Sequence, residues 1–166
     1  MFRIILVMII IPACYKWGNW RNWKEYYPTM LYYIIGDLSY NVLFHDKMLW
    51  EFRKMISHTF SDYFDAFFIA PFAIIIFLTH FPVKLSKTLL YTFFWACLFT
   101  LVEFLSYVLG YIIYANGWNI FWSFGIYYFL FLLLRVHYHK PLLTWPISLG
   151  LAVATLVIFK VPLTSI

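Results

Sequence analysis

Apolar and polar positions alternate along this chain in long blocks. Six apolar stretches cover residues 2–17, 28–45, 60–81, 88–114, 118–134 and 142–160, and short polar or basic connections separate them. A helix needs about 20 apolar residues to cross a bilayer, with roughly 17 as the lower limit. The pattern therefore predicts an all-α membrane protein, a bundle of about six transmembrane helices with the first one short, and no soluble domain. Pro28 falls in the first turn of the second span, where its missing N–H costs little. Pro71 predicts a kink inside the third. Residues 46–59 are mixed, and Met48, Leu49, Phe52, Met55 and Ile56 suit one face of a helix lying in the interface. Asn116-Gly117 marks a tight turn. Ser148/Ala152 and Gly150/Ala154 are small-residue pairs that predict close helix contact in the last span.

Composition sharpens this reading. The chain is 64% hydrophobic and 11% charged, against about 25% charged in ordinary soluble domains. Its 19 Phe, 14 Tyr and 8 Trp gather near predicted span ends, where amphipathic rings meet headgroups. The net charge of +5 comes from basic residues in short loops. That distribution points to topology and lipid headgroups, and not to nucleic acid. Cys14 and Cys97 lie far apart in apolar segments and read as small hydrophobes.

Residues 2–17 have two readings, a short first span or a signal sequence with Ile11-Pro12-Ala13-Cys14 as a loose cleavage box. Export would carry Lys16, Arg21 and Lys24 outside, against the positive-inside rule, so an uncleaved span is expected. Six spans place Lys16, Arg21, Lys24, Lys84, Lys87, Arg135 and Lys140 on one side, and Arg3, Lys47, Arg53, Lys54 and Lys160 on the other. Seven against five predicts that both termini lie outside.

The candidate chemistry follows from that topology. Thr29, Tyr33, Asp37, Asn41 and His45 recur every four residues and share one helix face. A mid-membrane acid is costly unless it meets a partner, water or a ligand. On the fourth span Thr100, Glu103, Tyr107, Gly110 and Tyr114 follow a 3,4 spacing, and Asn119, Ser123 and Tyr127 do so on the fifth. These faces are expected to converge on an outward-open polar cavity around Asp37 and Glu103, with Asn41, Tyr33, Tyr107 and Ser123 lining it. Desolvated acids there are suited to carry a proton or bind a small solute. At the entrance, His58, Asp62 and Asp65 have the spacing for metal ligation from one helix, the weaker reading beside simple helix-dipole stabilisation. His80, His137 and His139 read as interfacial. No cofactor motif occurs, and none is expected. The expected partners are the lipid bilayer and a small solute or proton, with any protein partner open. Two other classes compete: an intramembrane enzyme, metal-dependent through His58, Asp62 and Asp65, acting on a lipid-like substrate, and an accessory subunit of a membrane complex.

The run Trp23-Lys24-Glu25-Tyr26-Tyr27-Pro28-Thr29 with Leu31-Tyr32, followed by Leu49-Trp50-Glu51, Glu103, and Tyr114, Asn116-Gly117-Trp118 and Ser123, resembles an uncharacterised family of small multi-pass membrane proteins of endospore-forming bacilli and clostridia. The resemblance implies a bacterial plasma-membrane protein. It supplies no activity, so it assigns no residue a role.

Overall fold

The computed structural model describes residues 2–53 and 58–162, with side chains described for 3–53 and 63–162. The chain is about 77% helical. Helix α1 spans Phe2–Trp17, and a 3₁₀ turn at Trp20–Asn22 leads into α2, Trp23–Leu43. Strand β1, Trp50–Phe52, precedes α3, His58–Phe68, and α4, Ala70–Thr79. Helix α5, Leu85–Val108, is followed by β2, Ile112–Tyr114, then by α6, Ile120–His139, and α7, Pro141–Ile158.

Only Ile69 separates α3 from α4. The Ile69 N–H donates to the Asp65 carbonyl at 3.1 Å, and Ala73 N–H donates to the Ile69 carbonyl at 3.2 Å, so the backbone ladder continues across the break. Pro71, in the first turn of α4, has no N–H for the Phe67 carbonyl, and the expected kink falls there. The second span starts earlier than expected. Helix α2 begins at Trp23, which places Pro28 inside the helix and not at its start.

The helical segments run back and forth between two ends. At one end the His80 ring meets the Trp17 carbonyl at 2.6 Å, Asn19 N–H donates to Thr79 Oγ1 at 3.0 Å, and Tyr26 stacks on Tyr138 at 5.7 Å. At the other end Phe44, Leu49, Trp118, Leu156, Phe159 and Val161 form one buried cluster, and Arg3 pairs with Asp65 at 3.1 Å. The centre is aromatic. Phe77 is fully buried and packs against Phe131 at 4.8 Å, Tyr91 at 5.5 Å and Trp95 at 5.6 Å. Offset and edge-on rings of this kind contribute beyond their buried area. Outside that centre many apolar side chains face outward, among them Leu90, Phe94, Val108, Phe121 and Leu142. A belt of that extent is compatible with a lipid environment.

Among the described residues three helices, α5, α6 and α7, are long and apolar enough to cross a membrane. This corrects the expectation of six. Helix α1 has 16 residues, α2 carries Lys24, Glu25 and Asp37, and the third stretch is divided at Ile69.

Two further expectations fail in the connections. Among the described residues of 46–59, Trp50–Phe52 is a strand where an interfacial helix is expected. It pairs antiparallel with Ile112–Tyr114 in the register Trp50↔Tyr114, Glu51↔Ile113, Phe52↔Ile112. Leu49 is fully buried, whereas Met55 and Ile56 lie outside the described residues. The fourth span ends at Val108 and does not reach residue 114. Gly110, at φ +75°, lets Tyr111 N–H reach the Ser106 carbonyl at 2.8 Å and its own N–H reach that of Tyr107 at 2.9 Å, which is a Schellman stop. The predicted close contact at Gly150 is also absent, since a side-chain carbon there would meet nothing within 4 Å. Cys14 is buried as expected, but Cys97 is exposed on the apolar belt.

Candidate functional site

Glu103 sits near the C-terminal end of α5, where the chain stops, folds back and re-enters the bundle. After the stop at Gly110, β2 runs back along β1. Asn116 and Gly117 then take positive φ values of 52° and 86°, and the turn closes with Trp118 N–H on the Ala115 carbonyl at 2.9 Å. Asparagine and glycine are the residues that tolerate such a pair. Asn119 next accepts from Phe121 N–H and Trp122 N–H and caps α6. Its side chain is therefore spent on starting the helix and not on lining a cavity.

This path brings three hydroxyls to one carboxylate. Tyr114 donates to Glu103 Oε1 at 2.6 Å. Ser123 donates to the same oxygen at 2.5 Å. Tyr127, one turn further along α6, donates to Oε2 at 2.6 Å. The Trp118 indole N–H donates to Ser123 Oγ at 2.9 Å, so the serine accepts from the indole and gives its only proton to Glu103. Both residues are buried. Burial first, and Glu103 second, push the Tyr114 phenol well above its ordinary range, so it remains a donor. Tyr107, half-exposed, stacks on Tyr114 with centroids 4.7 Å apart and contributes a ring rather than its hydroxyl.

Asp37 belongs to the same neighbourhood. Tyr127 lies within electrostatic reach of Glu103, Tyr33 and Asp37 together. The α6 phenol thus bonds the α5 acid and feels the charge of the α2 acid. Asn41 is half-buried one turn beyond Asp37. His45 instead pairs with Asp46 at 3.1 Å on an exposed corner. Thr100 is on the expected face of α5, with its hydroxyl buried among carbons.

Of the expected entrance group, Asp65 alone has a described side chain. Asp65 is paired with Arg3, whose guanidinium also lies 3.8 Å from the Phe52 ring centroid. A carboxylate already neutralised by a cation is a poor metal ligand. The side chains of His58 and Asp62 lie outside the described residues. Among the described residues, no group of three or more His, Cys, Asp or Glu side chains is gathered.

A second buried polar cluster escaped the sequence reading. His137, at the basic end of α6, is buried inside the bundle. Its Nδ1 lies 3.1 Å from Thr29 Oγ1, and its ring stacks on Tyr32 at 4.2 Å. The Tyr32 hydroxyl in turn bonds Ser148 Oγ at 2.5 Å. A signal was present. Ser123, Tyr127, Leu130, Leu134 and His137 follow one another by four and three residues, so His137 is on the α6 face that carries Tyr127. A crevice of about 10 Å³, lined by Tyr33, Ala70, Ala73, Phe131 and Leu134 among others, lies in this bundle interior. That is room for about one water.

Comparison of the chain with known protein families, with curated proteins and with solved structures finds no match.

Proposed function

We propose that this chain is a membrane protein whose α2–α6 seam binds and relays a proton, with Glu103, Tyr127 and Asp37 as the central groups. The observation that carries the reading is Tyr127. It donates to Glu103 and stands in the field of Asp37 and Tyr33, so one hydroxyl bonds the first acid and feels the charge of the second. An ionised carboxylate accepts only, and a protonated one must donate. When Glu103 Oε2 gains a proton, the Tyr127 hydroxyl turns from donor to acceptor at that oxygen. Relay requires the phenol's own hydrogen to leave on the Asp37 side as the phenol oxygen accepts the Glu103 proton. One proton enters and one leaves, and the phenol is regenerated. From Asp37 the polar face of α2 continues through Tyr33 to Thr29 and the buried His137. The finer setting, a bacterial plasma membrane, belongs to the same proposal.

Reconstituted liposomes with an internal pH-sensitive dye test this. Wild-type protein is expected to collapse an imposed pH gradient faster than empty liposomes. Asp37→Asn and Glu103→Gln are expected to abolish that effect, and Tyr127→Phe to slow it about tenfold or more, within the usual range for a positioned proton-transfer group. Flux that is unchanged in Asp37→Asn would sink the reading.

One observation favours a second reading, in which Glu103 locks helices together. Both of its oxygens are engaged by donors from β2 and α6. Under that reading Glu103→Gln lowers stability by about 2 kcal/mol or more, since it weakens three charge-assisted bonds, and no flux accompanies the wild type.

A further inference from the structure

We propose that the crevice beside the 3₁₀ turn binds a phosphodiester group, that of an anionic phospholipid headgroup. The crevice has a volume of about 290 Å³ and is lined by Tyr15, Gly18, Asn19, Trp20 and Arg21. It lies far from Glu103, at the opposite end of the bundle. That volume is near the lower limit of roughly 300 Å³ for small-ligand sites, which suits a compact headgroup.

Its walls are built for an anion at a membrane surface. Tyr15 and Trp20 stack at 5.4 Å and form an aromatic wall of the kind that rests at headgroup depth. The Arg21 guanidinium is 5.7 Å from the Trp20 ring centroid, and the Lys16 ammonium is 4.9 Å from that of Trp17. Both cations are exposed, and neither is ion-paired to a carboxylate among the described residues. The first acidic residue in the sequence is Glu25, and it is met by Tyr138 at 3.5 Å. At this end Lys16, Arg21, Lys24, Lys84, Lys87, Arg135 and Lys140 face that single carboxylate. The local potential is therefore strongly positive, and a planar guanidinium at the crevice wall offers paired N–H donors to phosphate oxygens. Depth is set by the closeness of the α1 end to α4. A side-chain carbon on Gly18 would come within 2.9 Å of Ile75 Cγ2.

The test uses the full chain purified in a neutral maltoside detergent. It is titrated with phosphatidylglycerol, with phosphatidylcholine of the same acyl chains, and with inorganic phosphate, and bound adducts are counted by native mass spectrometry. One phosphatidylglycerol adduct is expected at concentrations where phosphatidylcholine gives none. Arg21→Gln is expected to weaken it about tenfold, the effect of losing a charged hydrogen bond. Arg21→Lys, which keeps the charge, is expected to lose less, and Lys87→Gln at the same end of the bundle is expected to stay within about twofold, as a charge outside the site should. Inorganic phosphate that binds as tightly as the lipid, with the same dependence on Arg21, would keep the phosphate chemistry and overturn the lipid as its source. Equal adducts with both lipids would overturn the anionic headgroup as the ligand, and equal losses in Arg21→Gln and Lys87→Gln would overturn the site itself. Helical circular dichroism of each variant separates lost binding from lost fold.

Discussion

Two residues show how backbone geometry constrains this chain more tightly than its composition suggests. Gly18 ends α1 where that helix comes closest to α4. A side-chain carbon there would sit 2.7 Å from the Cys14 carbonyl and 2.9 Å from both Cys14 Sγ and Ile75 Cγ2. The carbonyl is backbone and cannot swing away, so Gly18→Ala is expected to lower unfolding stability in detergent by about 1–3 kcal/mol, the usual penalty for overpacking. An unchanged midpoint in a denaturant titration would refute this. Lys160 is the opposite case. It holds φ +50° at the end of α7, where Val161 N–H reaches the Leu156 carbonyl at 2.9 Å. A non-glycine residue in that conformation costs about 1–2 kcal/mol, and glycine carries an entropic penalty of about 0.5–1 kcal/mol of its own. Lys160→Gly is therefore expected to raise stability by up to about 1 kcal/mol. The bond from Lys47 Nζ to the Phe159 carbonyl, at 2.7 Å, survives the change because it falls on backbone. A fall in stability would mean that the lysine side chain holds something its backbone does not.

At the scale of elements, the small sheet depends on one phenol. Tyr40 OH accepts from Leu49 N–H at 2.9 Å and from Trp50 N–H at 3.0 Å, and donates to the Trp50 carbonyl at 3.0 Å. Its ring also stacks on Trp50 at 4.7 Å. Tyr40→Phe keeps the stack and strands those backbone groups, at a cost of about 1–3 kcal/mol. Amide exchange is expected to accelerate at Leu49 and Trp50 and to stay unchanged at Tyr26, at the far end of the bundle. A uniform acceleration would mean that the sheet is not a separate local unit. This sheet is also where the sequence was least legible. The apolar blocks announced the helices, because every side chain of a helix is near its neighbours in sequence. The partner of Trp50–Phe52 lies about 60 residues on, and no local period reports it. For the same reason the fourth span was read through to residue 114, since Tyr111, Ile112, Ile113 and Tyr114 are as apolar as a helix end. The polar site was more legible. Glu103, Ser123 and Tyr127 stood on predicted faces, and the structure joins them. Asn119 shared their spacing, yet its position at the start of α6 gave it a capping role. His137 was read as interfacial because basic neighbours at Arg135 and Lys140 marked the region as a loop, whereas α6 runs on to His139.

For the whole molecule, the helices are of unequal length: among the described residues α5, α6 and α7 are long and apolar enough to cross a bilayer. Helix α1, with 16 residues, rises about 24 Å, short of a hydrocarbon core of about 30 Å. A shortfall of that size is met by local thinning or by anchoring rings, and Trp17, Trp20 and Trp23 are exposed at its C-terminal end. Helices α5, α6 and α7 run between the basic end and the sheet end, so a bilayer that they cross would separate the two. Single cysteines test this in a background without Cys14 and Cys97. His45→Cys marks the sheet end, where the ring is 80% exposed, and Lys84→Cys marks the basic end. An impermeant maleimide added to intact cells is expected to label His45→Cys alone, and to label both after permeabilisation, since the positive end belongs in the cytoplasm. Labelling of Lys84→Cys alone would invert the orientation and move Glu103 towards the cytoplasmic face. Labelling of both in intact cells would mean that the bilayer does not separate the two ends. The α2–α6 seam would then have no gradient across it, and a proton relay along it would have nothing to drive it.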